Sequence, residues 1–181
     1  LKGILAEVDK LFMTNKTGHS HFTSEIRWNK KDAELTRDGI DINTIDLTPM
    51  EEAGLIVSKN WDVTKHIKKW RLGNAFGKQS KKVVDSSSAL GMITMPNFDE
   101  GNYFEGGRAV QKLWLAATEK GLALQPMSIS TFLFAKAGDG NFDDIEEIKD
   151  EVLGQYELLK RVSGLSSDRK DVFFFRLAVA S

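Results

Sequence analysis

The chain has 181 residues, 41% hydrophobic and 28% charged, with a formal net charge of −1, enough for one domain with a real core, or a domain and an arm. The balanced charge excludes a broad electrostatic attraction to nucleic acid or to an anionic membrane, and no apolar run is long enough to span a bilayer as a helix. The absence of cysteine excludes disulfides, thiolate metal sites and cysteine nucleophiles and fits a reducing, cytoplasmic setting.

Leu1 to Phe12 reads as a helix, with Ile4, Leu5, Val8, Leu11 and Phe12 recurring at spacings of three and four. A short second helix is expected from His19 to Trp28. Residues 29–48 are polar and turn-rich, and Asp38-Gly39 favours a tight turn. Thr48-Pro49 followed by Glu51 and Glu52 has the form of a helix start. Asn60 to Leu72 is a further helix, with Val63, Ile67, Trp70 and His66 towards one side and Gly73 as its stop. Lys78 to Lys82 reads as a basic loop. "ALGMITM" reads as a buried strand stopped by Pro96.

A helix of small residues is expected from Glu105 to Lys120. Gly106, Gly107 and the alanines would let another helix approach closely, and Gly121 would cap the C-terminus. Leu122 to Phe134 reads as extended, with Pro126 inside it. Asp143 to Ser163 is an amphipathic helix with Ile145, Ile148, Val152, Tyr156, Leu159 and Val162 on one face. "DVFFFRLAVA" closes the chain as a strand. The order is helices, then strand, helix, strand, helix, strand.

Arg176 stands inside that last strand, among Phe173, Phe174, Phe175, Leu177 and Val179. A guanidinium there needs a partner. A carboxylate or a ligand phosphate would serve, and its planar fork suits either. Gln125-Pro126-Met127-Ser128 interrupts a strand with a residue that cannot donate to the ladder. Either the strand is an edge, or the following amides face something other than a strand. "GNAFGKQS" fails the phosphate-loop pattern, having three residues between its glycines and Gln79 after Lys78. His19 and His21 have no third histidine near them. "DSSSALG" is not a Gly-x-Ser-x-Gly elbow. With no acid, base or nucleophile evident, any chemistry would fall to a cofactor.

"GGRAVQKLWLAATEKGLALQPMS" resembles the late helix-and-strand segment of FMN-dependent nitroreductases, and "DVFFFRLAVA" resembles their final core strand. The wider run with "RDGIDI" and "WRLGNAFGKQSKKVVDSSSALGMIT" is similar to divergent nitroreductase-like domains, some fused to an upstream adenylyltransferase module. The resemblance covers residues 50–181. It implies an α+β nitroreductase-like sandwich, its central sheet covered by helices on both faces, with a helical or irregular arm at 1–48 and a core at 49–181. It implies FMN at a homodimer interface, NAD(P)H as co-substrate, and a quinone- or nitroaromatic-type electron acceptor. Pro126 and Met127 would lie against the flavin ring, the Ser128 amide would approach its N5, and Arg176 would hold the phosphate. The family's Arg-Arg-Ser-x-Arg opening and Pro-Ser-x-x-Asn stretch are not in this sequence, and Ser128-Ile129 replaces the glutamate-glycine pair after the proline. The chain is thus expected to lack an N-terminal segment. The alternative implied by those departures is a non-catalytic flavin-binding or dimerisation module of a larger protein.

Overall fold

A computed structural model describes residues 1–45, 47–69 and 74–179, with the backbone alone for 67–69 and 74–76. Trp70 and Gly73 lie outside the described residues. In chain order the elements are α1 (Lys2–Thr14), α2 (Lys16–Glu25), β1 (Ile26–Arg27), α3 (Lys30–Thr36), β2 (Ile40–Asp41), α4 (Pro49–Ser58), α5 (Trp61–Lys69), α6 (Asn74–Asp85), β3 (Ala89–Met95), α7 (Glu100–Glu119), β4 (Leu122–Pro126), α8 (Ser128–Asp139), α9 (Lys149–Ser163) and β5 (Lys170–Val179), with 3-10 turns at Ile42–Thr44 and Glu146–Ile148. The chain is a mixed α+β protein. Its compact units are Phe12–Asn74 and Leu1–Leu11 with Ala75–Ser181, whereas the sequence placed a division at 48/49.

In the larger unit three antiparallel strands lie in the order β3-β5-β4. The apolar strand β5 therefore has a neighbour on each edge. Its register against β3 passes from Ile93↔Phe173 to Thr94↔Asp171, so Val172 is an extra, bulged residue. The bulge turns Val172 towards α7, where a Cβ on Gly106 would stand 2.9 Å from Val172 Cγ2. Ala117 of α7 packs with Leu124 and Phe175, joined by Ile93, Leu113, Leu122, Phe173 and Leu177. The opposite face carries Phe174, which meets Phe134 of α8 edge-on with ring centroids 6.4 Å apart; Phe134 in turn stacks on Tyr156 of α9 at 5.7 Å. The two helix layers follow from the alternation of β5: residues 173, 175 and 177 look one way, 174 and 176 the other.

Four expectations are corrected here. Lys78 to Lys82 is not a loop but the middle of α6, which touches α1. Gly77 allows that approach, since a Cβ there would come 3.1 Å from the Ala6 carbonyl oxygen. Leu122 to Phe134 is not one extended segment: β4 ends at Pro126 and α8 begins at Ser128. The last helix begins at Lys149 rather than Asp143, and Val162, expected on its buried face, is 55% exposed. The helix expected from Glu105 starts earlier, at Glu100, because Asp99 caps it by accepting from the Asn102 amide at 2.9 Å.

In the smaller unit, Thr48 and Glu51 form the capping box that opens α4. Buried His19 of α2 donates from Nε2 to the Ser58 carbonyl at 2.7 Å, which also accepts from Thr64 Oγ1 at 2.8 Å. That carbonyl ties three helices together. Where a tight turn was expected at Asp38-Gly39, the chain bends at Gly39, at φ +66°, on its way from α3 into β2, and Asp38 is paired to Arg27 at 2.8 Å.

Gly91 tests the packing of the sheet, because a Cβ there would fall 2.4 Å from the Phe175 ring, whereas Gly154 of α9 faces open space. Gly91→Ala is expected to destabilise by about 1–3 kcal/mol in urea denaturation, and Gly154→Ala to stabilise by about 0.5–1 kcal/mol. Equal effects would contradict this packing.

Candidate functional site

The four residues singled out from the sequence lie together on β4, β5 and the start of α8. Arg176 sits opposite Gln125 in the register, and Phe175 opposite Pro126. On the sheet face away from α7, the half-buried Arg176 side chain donates from Nε to Gln125 Oε1 at 2.6 Å. Its Nη1 donates to the Val83 carbonyl and to Ser86 Oγ, each at 3.3 Å, where α6 ends. All three partners are neutral, and among the described residues Arg176 has no ion pair. The guanidinium is solvated by dipoles and by the negative end of a helix, and its charge is not cancelled.

The proline has a different setting from the one expected. Pro126 is the last residue of an edge strand, not the middle of a buried one. Beyond it the Met127 amide donates to the Phe174 carbonyl at 2.9 Å, and the Phe174 amide donates to Thr131 Oγ1 at 2.9 Å. The first turn of α8 thus takes over both backbone groups of Phe174 where β4 stops. What lies against this stretch of β5 is the chain's own helix. The Met127 amide is already engaged, while exposed Ser128 opens α8 with no side-chain cap. Its first amides form the positive end of a twelve-residue helix.

Gln125, Ser86 and Thr131 were not singled out from sequence. Gln125 belongs to the quoted stretch, but its role appears only once the β4–β5 register is fixed. Among the other candidates, His66, placed towards the apolar side of its helix by the sequence, is exposed and donates from Nδ1 to the Asp62 carbonyl at 2.6 Å. His19 and His21 diverge on α2, His19 buried and His21 exposed. No group of metal-binding side chains forms among the described residues, and no described helix is long and apolar enough to cross a membrane.

Two carboxyls of the larger unit lie away from Arg176. Asp171, 1% exposed, accepts from the Tyr156 hydroxyl at 2.9 Å through Oδ1, and its Oδ2 has no partner. Burial raises its pKa, and the same burial with the nearby carboxyl pushes the Tyr156 phenol up. Asp9 of α1 accepts from Ser80 Oγ of α6. Burial raises Asp9 from 3.8 to about 6, with the Ser80 hydrogen bond opposing.

No family model matches the chain, and no solved structure matches it. It is 32% identical over 133 residues, 74% of its length, to Uncharacterized protein MT1398 of Mycobacterium tuberculosis (strain CDC 1551 / Oshkosh). The match covers 18% of that protein, so the chain spans less than a fifth of the length of this curated relative.

The shift at Asp9 fixes a sign. Its folded pKa lies above the unfolded value, so the stability it contributes is fully present below about 3.8 and is lost as pH rises through about 6. Asp9→Asn is expected to flatten the decline in stability between pH 4 and 7, followed by urea denaturation across that range. A decline of unchanged slope in the variant would contradict the assignment.

Proposed function

We propose that the chain is the flavin-holding part of a nitroreductase-like, FMN-dependent oxidoreductase. The observation that carries the reading is Arg176, a half-buried cation on an apolar strand with no carboxylate partner among the described residues, one strand away from the uncapped start of α8. A guanidinium and helix amides are the two groups that suit a phosphate. The residues present therefore fit the charged end of such a cofactor. Arg176 would donate to the phosphate, with Gln125 Oε1 fixing the direction of its Nε–H. Pro126 and Met127, both half-buried, would offer apolar surface beside the ring, and the Ser128 amide would donate to it. Bound FMN would supply the redox chemistry, accepting a hydride from NAD(P)H and passing electrons to a quinone- or nitroaromatic-type acceptor. The sandwich architecture of that family and its dimeric state belong to the same reading.

One observation favours the second reading, a non-catalytic nitroreductase-like module. Arg176 and Met127 already have structural work, at the end of α6 and at Phe174 respectively. In that case the guanidinium serves mainly as a clasp between strand and helix.

Titration of FMN fluorescence distinguishes the two. Arg176→Ala is expected to weaken FMN at least about tenfold, the loss of one charge-assisted contact, while riboflavin, which has no phosphate, binds both proteins equally. An FMN affinity unaltered by Arg176→Ala, accompanied by a fall in thermal stability, would leave the clasp and remove the phosphate role. Oxidation of NAD(P)H by the FMN-loaded protein only when a quinone is present is the activity expected.

A further inference from the structure

Tyr156 and Asp171 form a buried pair to which the reading above gives no part. The phenol is 4% and the carboxyl 1% exposed, and Asp171 Oδ2 has no partner among the described residues. A carboxyl that served only to tie α9 to the bulge would be better matched at both oxygens, since an unpaired buried one is costly. The pair also lies in a row of rings. Tyr156 stacks on Phe134, which meets Phe174 on the sheet face that carries Arg176. On the other side of Tyr156, a Cβ on Gly138 would stand 2.3 Å from Phe98 Cε2 and 3.1 Å from Tyr156 Oη, so both converge over this glycine. Phe98 stacks in turn on Tyr103 at 6.0 Å, and Tyr103 is 45% exposed. The chain has two tyrosines, and both stand in this row.

We propose that Tyr156 and Asp171 are a proton-coupled redox pair, with Tyr103 as its outlet to solvent. A one-electron oxidant takes an electron from the Tyr156 ring. The phenolic O–H breaks, and its proton crosses the 2.9 Å hydrogen bond to Asp171 Oδ1. A neutral phenoxyl radical and a neutral carboxylic acid result, and the oxidant is reduced by one electron. Burial favours this course, because the proton transfer replaces a buried carboxylate by an uncharged pair. Tyr103 then gives an electron to Tyr156 past Phe98 and its own proton to water, while Asp171 returns the first proton to Tyr156. The carboxylate has to be ionised to accept. Lys160 of α9 and Lys170 of β5 favour that form and burial opposes it. Glu157 of α9 and Asp139 of α8 are the other charges about the two phenols. Oxidation of Tyr156 therefore rises with pH as Asp171 ionises. The proposal rests on the flavin reading only for its natural oxidant, which would be a light-excited flavin bound beside Phe174.

The test needs no flavin, so its failure is distinct from the failure of that reading. Photogenerated ruthenium(III) tris-bipyridine serves as the oxidant, and flash photolysis with electron paramagnetic resonance reads the radical. Tyr103→Phe leaves Tyr156 as the sole tyrosine. It is expected to give a neutral phenoxyl radical whose formation slows in acid and in deuterium oxide. Adding Asp171→Asn keeps an acceptor for the Tyr156 hydroxyl but removes the base, and should slow that formation at least about tenfold with the circular dichroism unchanged. With ascorbate present, the radical of Tyr103→Phe should outlast that of the unmodified chain, because the outlet is gone. If Asp171→Asn does not fold, the dependence of Tyr103→Phe on pH and deuterium decides alone. Absence of a phenoxyl radical in Tyr103→Phe, a rate indifferent to pH and deuterium or to Asp171→Asn in a folded variant, or equal lifetimes with ascorbate would each overturn the proposal.

Discussion

Strand β5 is the element on which the larger unit depends. It is hydrogen-bonded along both edges and packed on both faces, so its polar groups have to be satisfied where they stand. The chain does this locally. The bulge at Val172 rotates Asp171 to the side of Tyr156 and places Val172 against Gly106. Where β4 ends, α8 supplies the Met127 amide and the Thr131 hydroxyl to Phe174. Pro126 marks that handover from strand to helix. Its missing N–H costs nothing at the end of an edge strand.

Arg176 is the exception within this scheme. A fully matched interior cation would have a carboxylate, and none is paired with it among the described residues. Its neutral partners lower the cost of partial burial without removing the charge, a state that suits the capture of an anion. The same contacts hold β5 to the end of α6. Both roles rest on one side chain, so binding and stability have to be measured separately to part them.

Strands β3 and β5 were legible because their apolar runs, "ALGMITM" and "DVFFFRLAV", are short and bounded, whereas the two-residue β1 and β2 carry no such run. The capping box at Thr48 and Glu51 was equally plain. The α8 helix was not, because Ile129, Phe132, Leu133 and Phe134 are as apolar as a strand, and the switch after Pro126 is decided by Phe174 accepting and donating across the sheet. The loop expected at Lys78 to Lys82 is a helix for a similar reason, its Gly77 being a contact with Ala6 rather than a stop. Arg176 and Pro126 stand on paired neighbouring strands, and Gln125, which fixes the guanidinium, became visible only through register.

The central claim is that the charge of Arg176 remains available to an anion beside the start of α8. Nitrogen-resolved NMR of the labelled chain reads this at the atoms concerned. The account predicts that FMN shifts both the Arg176 Nε–H and the Ser128 amide, whereas riboflavin shifts the Ser128 amide and leaves the Arg176 signal in place. Signals that stay fixed with saturating FMN, or an Arg176 Nε–H that responds equally to both flavins, would contradict it.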